Sequence, residues 1–155
     1  MKRTERIAQH LMDVHNGDNW TSVMVAGEIG DIDWNDAFSP VPFSPNTIAS
    51  LVRHIAYWNQ VVADRGRGIT PVIAAHNGFD APEAGPAAWE KLKAELFQSA
   101  GELADVIRQF DEAKLEAPVL PGHSSAYKNF QGQVEHVHYH LGQIVMLKKY
   151  LRPAG

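Results

Sequence analysis

Three observations on the chain predict an all-α protein built as a four-helix bundle. Four segments repeat apolar residues at three- and four-residue spacing, which lines one face of a helix. Stretches containing Gly and Pro separate these segments. No run shows the alternating apolar pattern of a half-buried strand. Helices that each carry one apolar stripe bury it by packing on one another.

The first helix is expected from about Thr4 to His15, where Ile7, Leu11 and Val14 recur on one side. Asn16-Gly17-Asp18-Asn19 interrupts it, and a helical pattern resumes from Trp20 to Ile29 through Val23, Met24 and Ala26. Prolines 40, 42 and 45 then forbid a continuous helix, leaving a connection with one short turn at Trp34 to Phe38. The second long helix starts near Asn46 or Thr47 and runs to about Arg65, with the stripe Ile48, Leu51, Ile55, Trp58 and Val62. Gly66 and Gly68 end it, and residues 69 to 85 form a loop that includes Asn77-Gly78. A third helix, from about Ala87 to Phe110, carries Trp89, Leu92, Leu96, Leu103, Val106 and Phe110. After a loop with Pro118, Pro121 and Gly122, the last helix runs from about Lys128 to Leu151.

With 155 residues the chain reads as one domain, residues 1–155, long enough for its own core. Its net charge of −4 comes without a basic block, which argues against nucleic acid as the partner. Having no Cys, it has no disulfide, no thiolate-ligated zinc and no thiol nucleophile of its own. No apolar run approaches a membrane span, and Met1 to Arg6 is not followed by a signal-type hydrophobic region. The expectation is a cytoplasmic protein with no membrane partner.

His136 and His140 are the most informative residues. At i and i+4 they stand one turn apart on one helix face, flanking the stripe of Phe130, Val134, Val137, Leu141, Ile144 and Val145. Two imidazoles so placed can share one divalent ion, and His54, flanking the stripe of the second helix, is the candidate third ligand. Three neutral imidazoles leave an open position on zinc or a similar ion, the pattern of a catalytic site. The blander alternative for an i, i+4 pair alone is two hydrogen-bonded or half-exposed histidines. Glu135 precedes His136, so the His-Glu-x-x-His of zincins is missing and Glu135 is a poor general base. His138 falls near the opposite edge of the helix.

Other residues read as follows. Gly142 is either a site of close helix approach or a tolerated helix glycine, and Gln143 either orients a histidine nitrogen or is a surface amide. Arg53 and Lys148 read as surface charges. His10, His15, His76 and His123 read as scattered polar histidines, with His15 and Trp20 within range of the pocket in three dimensions. Trp20 and Trp58 read as core or pocket-wall aromatics.

Asn16-Gly17-Asp18-Asn19-Trp20, Leu51-Val52-Arg53-His54-Ile55-Ala56-Tyr57-Trp58 and Glu135-His136-Val137-His138-Tyr139-His140-Leu141-Gly142-Gln143-Ile144 resemble the successive landmarks of the DinB-like family, which includes the YfiT-like proteins. The resemblance spans nearly the whole chain. It implies an up-down-down-up bundle and a metal triad of His54, His136 and His140 holding zinc or nickel. It also implies a homodimer. Some members transfer low-molecular-weight thiols or use them to isomerise substrates, and many have no assigned activity. The expected function is therefore divalent-metal-dependent transfer of a small thiol to an electrophile. The alternatives are a metal-dependent hydrolase and a non-enzymatic metal-containing binding or stress-related protein. No catalytic residue beyond the triad is assigned.

Overall fold

The computed structural model describes residues 1–153, and six α-helices carry the fold among them. α1 (Arg3–Asn16), α4 (Ile48–Gly66), α5 (Pro86–Gln109) and α6 (Ala126–Leu151) are the four long helices of the bundle. α2 (Val25–Ile29) and α3 (Trp34–Phe38) are single turns in the crossover from α1 to α4, and Glu112–Lys114 forms a 3-10 turn before α6.

Local chemistry sets the ends. Thr47 caps α4 by accepting from Ser50 N at 3.1 Å, so the helix begins at the first residue of the predicted stripe. At the other end Gly68 takes φ +82°, and Ile69 N closes on Asp64 O at 2.9 Å. Pro86 opens α5 at a position where its missing N–H costs nothing. Ser125 accepts from Lys128 N at 3.1 Å, which starts α6 two residues before the expected Lys128. The expected helix from Trp20 to Ile29 shrinks to Val25–Ile29. Asn19 explains this: its side chain donates to Asp13 O and Val23 O and accepts from Thr21 N, offering the backbone a turn in place of a helix.

The helix directions follow from the residues that meet. Asn59 reaches Gln133 and Arg65 reaches Asn129, so α4 and α6 are antiparallel. Asn59 also meets Ser99, and Gly66 lies against Val106, so α4 and α5 run the same way. Arg3 pairs with Glu116, and Tyr127 N bonds Leu115 O, so α1 and α6 both start at the end where α5 finishes. The bundle is up-down-down-up. α1 and α4 sit diagonally, each packed on α5 and α6.

The stripes meet in one core that includes Leu11, Ile55, Leu96, Leu103, Phe130, Val137 and Ile144. Burial of such side chains stabilises the fold by about 1.5–3 kcal/mol each. The crossover is pinned by Trp89 Nε1, which donates to Ile32 O at 2.8 Å. Lys148 pins it as well, so its reading as a surface charge is corrected. Its ammonium is partly buried, 2.8 Å from Asp31 and 3.3 Å from Glu28, because α6 passes under the crossover.

Candidate metal centre

α4 presents His54, and α6 presents His136 and His140, with their ligating nitrogens drawn together. His54 Nε2 lies 3.1 Å from His136 Nε2, and His140 Nε2 lies 2.9 Å from the same atom. Three nitrogens at about 2.0–2.1 Å from a tetrahedral ion stand about 3.3 Å apart, so the cluster could hold a divalent metal ion after a small outward adjustment. His138, two residues from each of its neighbours, lies outside this cluster.

The hydrogen bonds on the far side of each ring decide what the convergence means. His54 Nδ1 sits 2.6 Å from Asn77 O, a carbonyl that can only accept, so Nδ1 carries the proton. His140 Nδ1 donates to Gln143 Oε1 at 2.7 Å. This places Gln143 as the orienting amide rather than a surface one.

His136 Nδ1 faces Gln133 Oε1 at 3.2 Å, and that polarity is dictated from two distant backbone carbonyls. Ser99 Oγ donates to Leu96 O at 2.8 Å, so it accepts from Asn59 Nδ2 at 3.2 Å. His15 Nδ1 donates to Leu11 O at 2.7 Å, so its Nε2 also faces Asn59 Nδ2 as an acceptor, at 3.4 Å. Asn59 Oδ1 is then left to accept from Gln133 Nε2 at 2.8 Å, which turns Gln133 Oε1 toward His136. Every Nδ1 proton of the triad is thereby committed, and three Nε2 lone pairs converge. Lone pairs at these separations repel, and a shared cation turns that repulsion into ligation.

Electrostatics agree with the tautomers. Burial holds His54 and His136 down to about 4, and the neighbouring histidines push the same way. Burial also lowers His140, partly offset by its bond to Gln143. Neutral imidazoles are the form a metal takes.

Two aromatic rings and one turn hold His54 in place. Phe79 stacks on it at 3.8 Å with planes 7° apart, and Trp58 stands edge-on at 6.4 Å. The turn depends on Gly78 at φ +78°: a Cβ there would lie 2.6 Å from the Tyr57 ring. Trp58 Nε1 in turn donates to Asn77 Oδ1 at 3.1 Å, steadying the residue whose carbonyl orients His54.

Several sequence readings change. His15 is not a scattered polar histidine: it is fully buried and lies two hydrogen-bonded residues from His136. Trp20 is neither core nor pocket wall of the triad. It is 98% exposed, on the rim of a separate groove with His10, Glu135 and His138. Gly142 makes no close helix approach, since a Cβ there would meet nothing within 4 Å. Arg53 is partly covered and lies 3.9 Å from Asp80. Sequence reasoning missed Asn59, although its signal was present: an amide in register with Ile55 and Val62 on an apolar stripe. It also missed Asn77 and Phe79, for which Asn77-Gly78 marked only a turn.

Beside the triad, a cleft of about 290 Å³ opens between α4 and the first turns of α6. Trp58, Val62, Arg65, Lys128, Gly132 and His136 are among the residues lining it. An up-down-down-up bundle with three inward histidines on its second and fourth long helices defines a class of helical protein with a potential metal site. The sequence model of the DinB superfamily matches residues 7–144, and the chain belongs to that superfamily. No curated protein and no solved structure matches it.

Proposed function

We propose that this protein is a divalent-metal-dependent enzyme that transfers a low-molecular-weight thiol to an electrophilic small molecule, with zinc or nickel held by His54, His136 and His140. The observation that carries the reading is the convergence of three Nε2 lone pairs whose Nδ1 protons are all engaged elsewhere. A divalent ion bound there supplies positive charge that favours a thiolate over a thiol at neutral pH. The chain has no Cys, so the thiol is a cosubstrate. His54, braced by Phe79, and His136, braced by Gln133, keep the ligand set in one geometry and limit reorganisation during reaction. Trp58 walls the cleft and stands edge-on to the His136 ring at 6.0 Å.

The test is an assay of zinc- or nickel-loaded protein with a panel of small thiols and reactive halides. The expected result is metal-dependent consumption of both reactants, lost in His54→Ala, His136→Ala and His140→Ala. Ester or amide hydrolysis without any thiol would replace this reading with a hydrolase. Stoichiometric metal without turnover of either kind would make the protein a binding module.

The same reading includes a cytoplasmic homodimer. Tyr139, Met146 and Tyr150 leave one face of α6 apolar and exposed, and Phe43 packs edge-on against Tyr150 to extend it. Sedimentation that stays at 17.2 kDa over a wide concentration range would rule the dimer out.

A further inference from the structure

Arg65 is a half-buried guanidinium with no carboxylate partner among the described residues. Arg53 and Arg152, also of intermediate exposure, both have one. One nitrogen, Nη1, donates to Asn129 Oδ1 at 3.1 Å. Nε is buried with no partner among the described residues, and Nη2, which is not buried, has no acceptor among them. Burial pushes the guanidinium's pKa down without displacing its charge at neutral pH. A cation left in this state costs free energy that an incoming anion recovers.

Its position says where that anion would sit. Arg65 shares the cleft with Lys128 and His136, and it lies 5.6 Å from the Trp58 ring centroid. The same ring lies 6.0 Å from the His136 ring. Guanidinium and triad therefore border one indole, and a short extended molecule lying along it reaches both. Gly132 keeps the space between them free, since a Cβ there would meet nothing within 4 Å.

We propose that this cleft selects a cosubstrate or substrate bearing a carboxylate, held by Arg65 with help from Lys128, so that its other end lies at the histidine triad. The inference rests on the triad as the reactive centre, and it names the class of molecule that centre takes. The apolar middle of the cleft, Trp58 and Val62, suits a short hydrocarbon spacer. Lys128 supplies long-range attraction and Arg65 the directional bonds.

Calorimetric titration of zinc-loaded protein with 6-mercaptohexanoate and 6-mercaptohexanol tests it. Wild type should bind the acid about ten-fold more tightly than the alcohol. Arg65→Gln should erase that preference while leaving alcohol binding unchanged, and Lys128→Gln should narrow it about two-fold. Adipate, which has no thiol, should bind wild type and be lost in Arg65→Gln, so the carboxylate site is read even if thiol chemistry fails. Equal affinity for acid and alcohol in wild type overturns the proposal, and so does an acid preference that survives Arg65→Gln. The wild-type comparison needs no variant, so it decides the question should Arg65→Gln fail to fold.

Discussion

α6 carries three histidines within five residues, and they meet opposite fates. His136 and His140 point at α4, where a carbonyl-anchored network and a neighbouring glutamine take their Nδ1 protons and leave their Nε2 atoms facing His54. His138 points toward α1 and borders a groove with His10, Glu135 and the exposed Trp20. The residue type and the helix are the same. The difference is the face of the helix, and with it whether the ring meets a fixed acceptor and the histidine of α4. His15 shows that a partnered Nδ1 is not enough, since its own donates to Leu11 O; at His136 and His140 the free Nε2 atoms also converge with that of His54.

The largest expected effect breaks this contrast outright. His136→Ala or His140→Ala should reduce bound metal from about one ion per chain to almost none, as measured by elemental analysis after reconstitution. His138→Ala should leave the stoichiometry intact. Equal loss in all three variants would dissolve the distinction.

Acid comes next. His15, His54 and His136 are each held near 4 in the fold against an ordinary value of 6.5. Between these values the unfolded chain binds more protons than the native one, so stability rises with pH. Their contribution is complete above about pH 6.5, is lost progressively as pH falls toward 4, and levels off below. For the fully buried His15 the loss is about 3 kcal/mol. Metal-free protein should show this fall in thermal unfolding scans, and His15→Leu, which removes that group's titration, should flatten part of it. A melting temperature that is level from pH 7 to pH 4 would contradict the burial of neutral rings.

A smaller effect sharpens the role of the network. Gln133→Leu removes the acceptor at His136 Nδ1 and should weaken zinc binding about ten-fold or more in chelator competition. Gln133→Glu keeps an acceptor there but loses the donor to Asn59 Oδ1, so it should recover part of the affinity. Equal losses in both would mean that packing, not proton placement, is what Gln133 supplies. The smallest effect is Gly142→Ala. The added methyl meets nothing within 4 Å, so the helix should gain up to about 1 kcal/mol in chemical denaturation with metal content unchanged. Gly66→Ala should do the opposite, since its Cβ would lie 2.7 Å from Val106 and 3.1 Å from the Phe130 ring.

The sequence by itself determined the four long helices, because apolar spacing and helix ends are local properties that a stretch of twenty residues carries. It also determined which histidines share a face, since His136 and His140 are related by helix geometry alone, and the stripe of the second helix offered His54, which the family resemblance reinforced. Only the tertiary structure decided the proton positions. The bonds that do so join Asn59 to His15, Ser99 and Gln133 across separations of 44, 40 and 74 residues, and none of these pairs has a spacing that marks it in advance. His15 was read as a scattered polar histidine and Lys148 as a surface charge for the same reason. A polar side chain's environment is set by the helix or crossover laid against it, and helical periodicity describes only its own helix. Arg65 belongs with them: its charge is written in the sequence, but the missing counter-ion and the cleft before it exist only once α4 and α6 have packed.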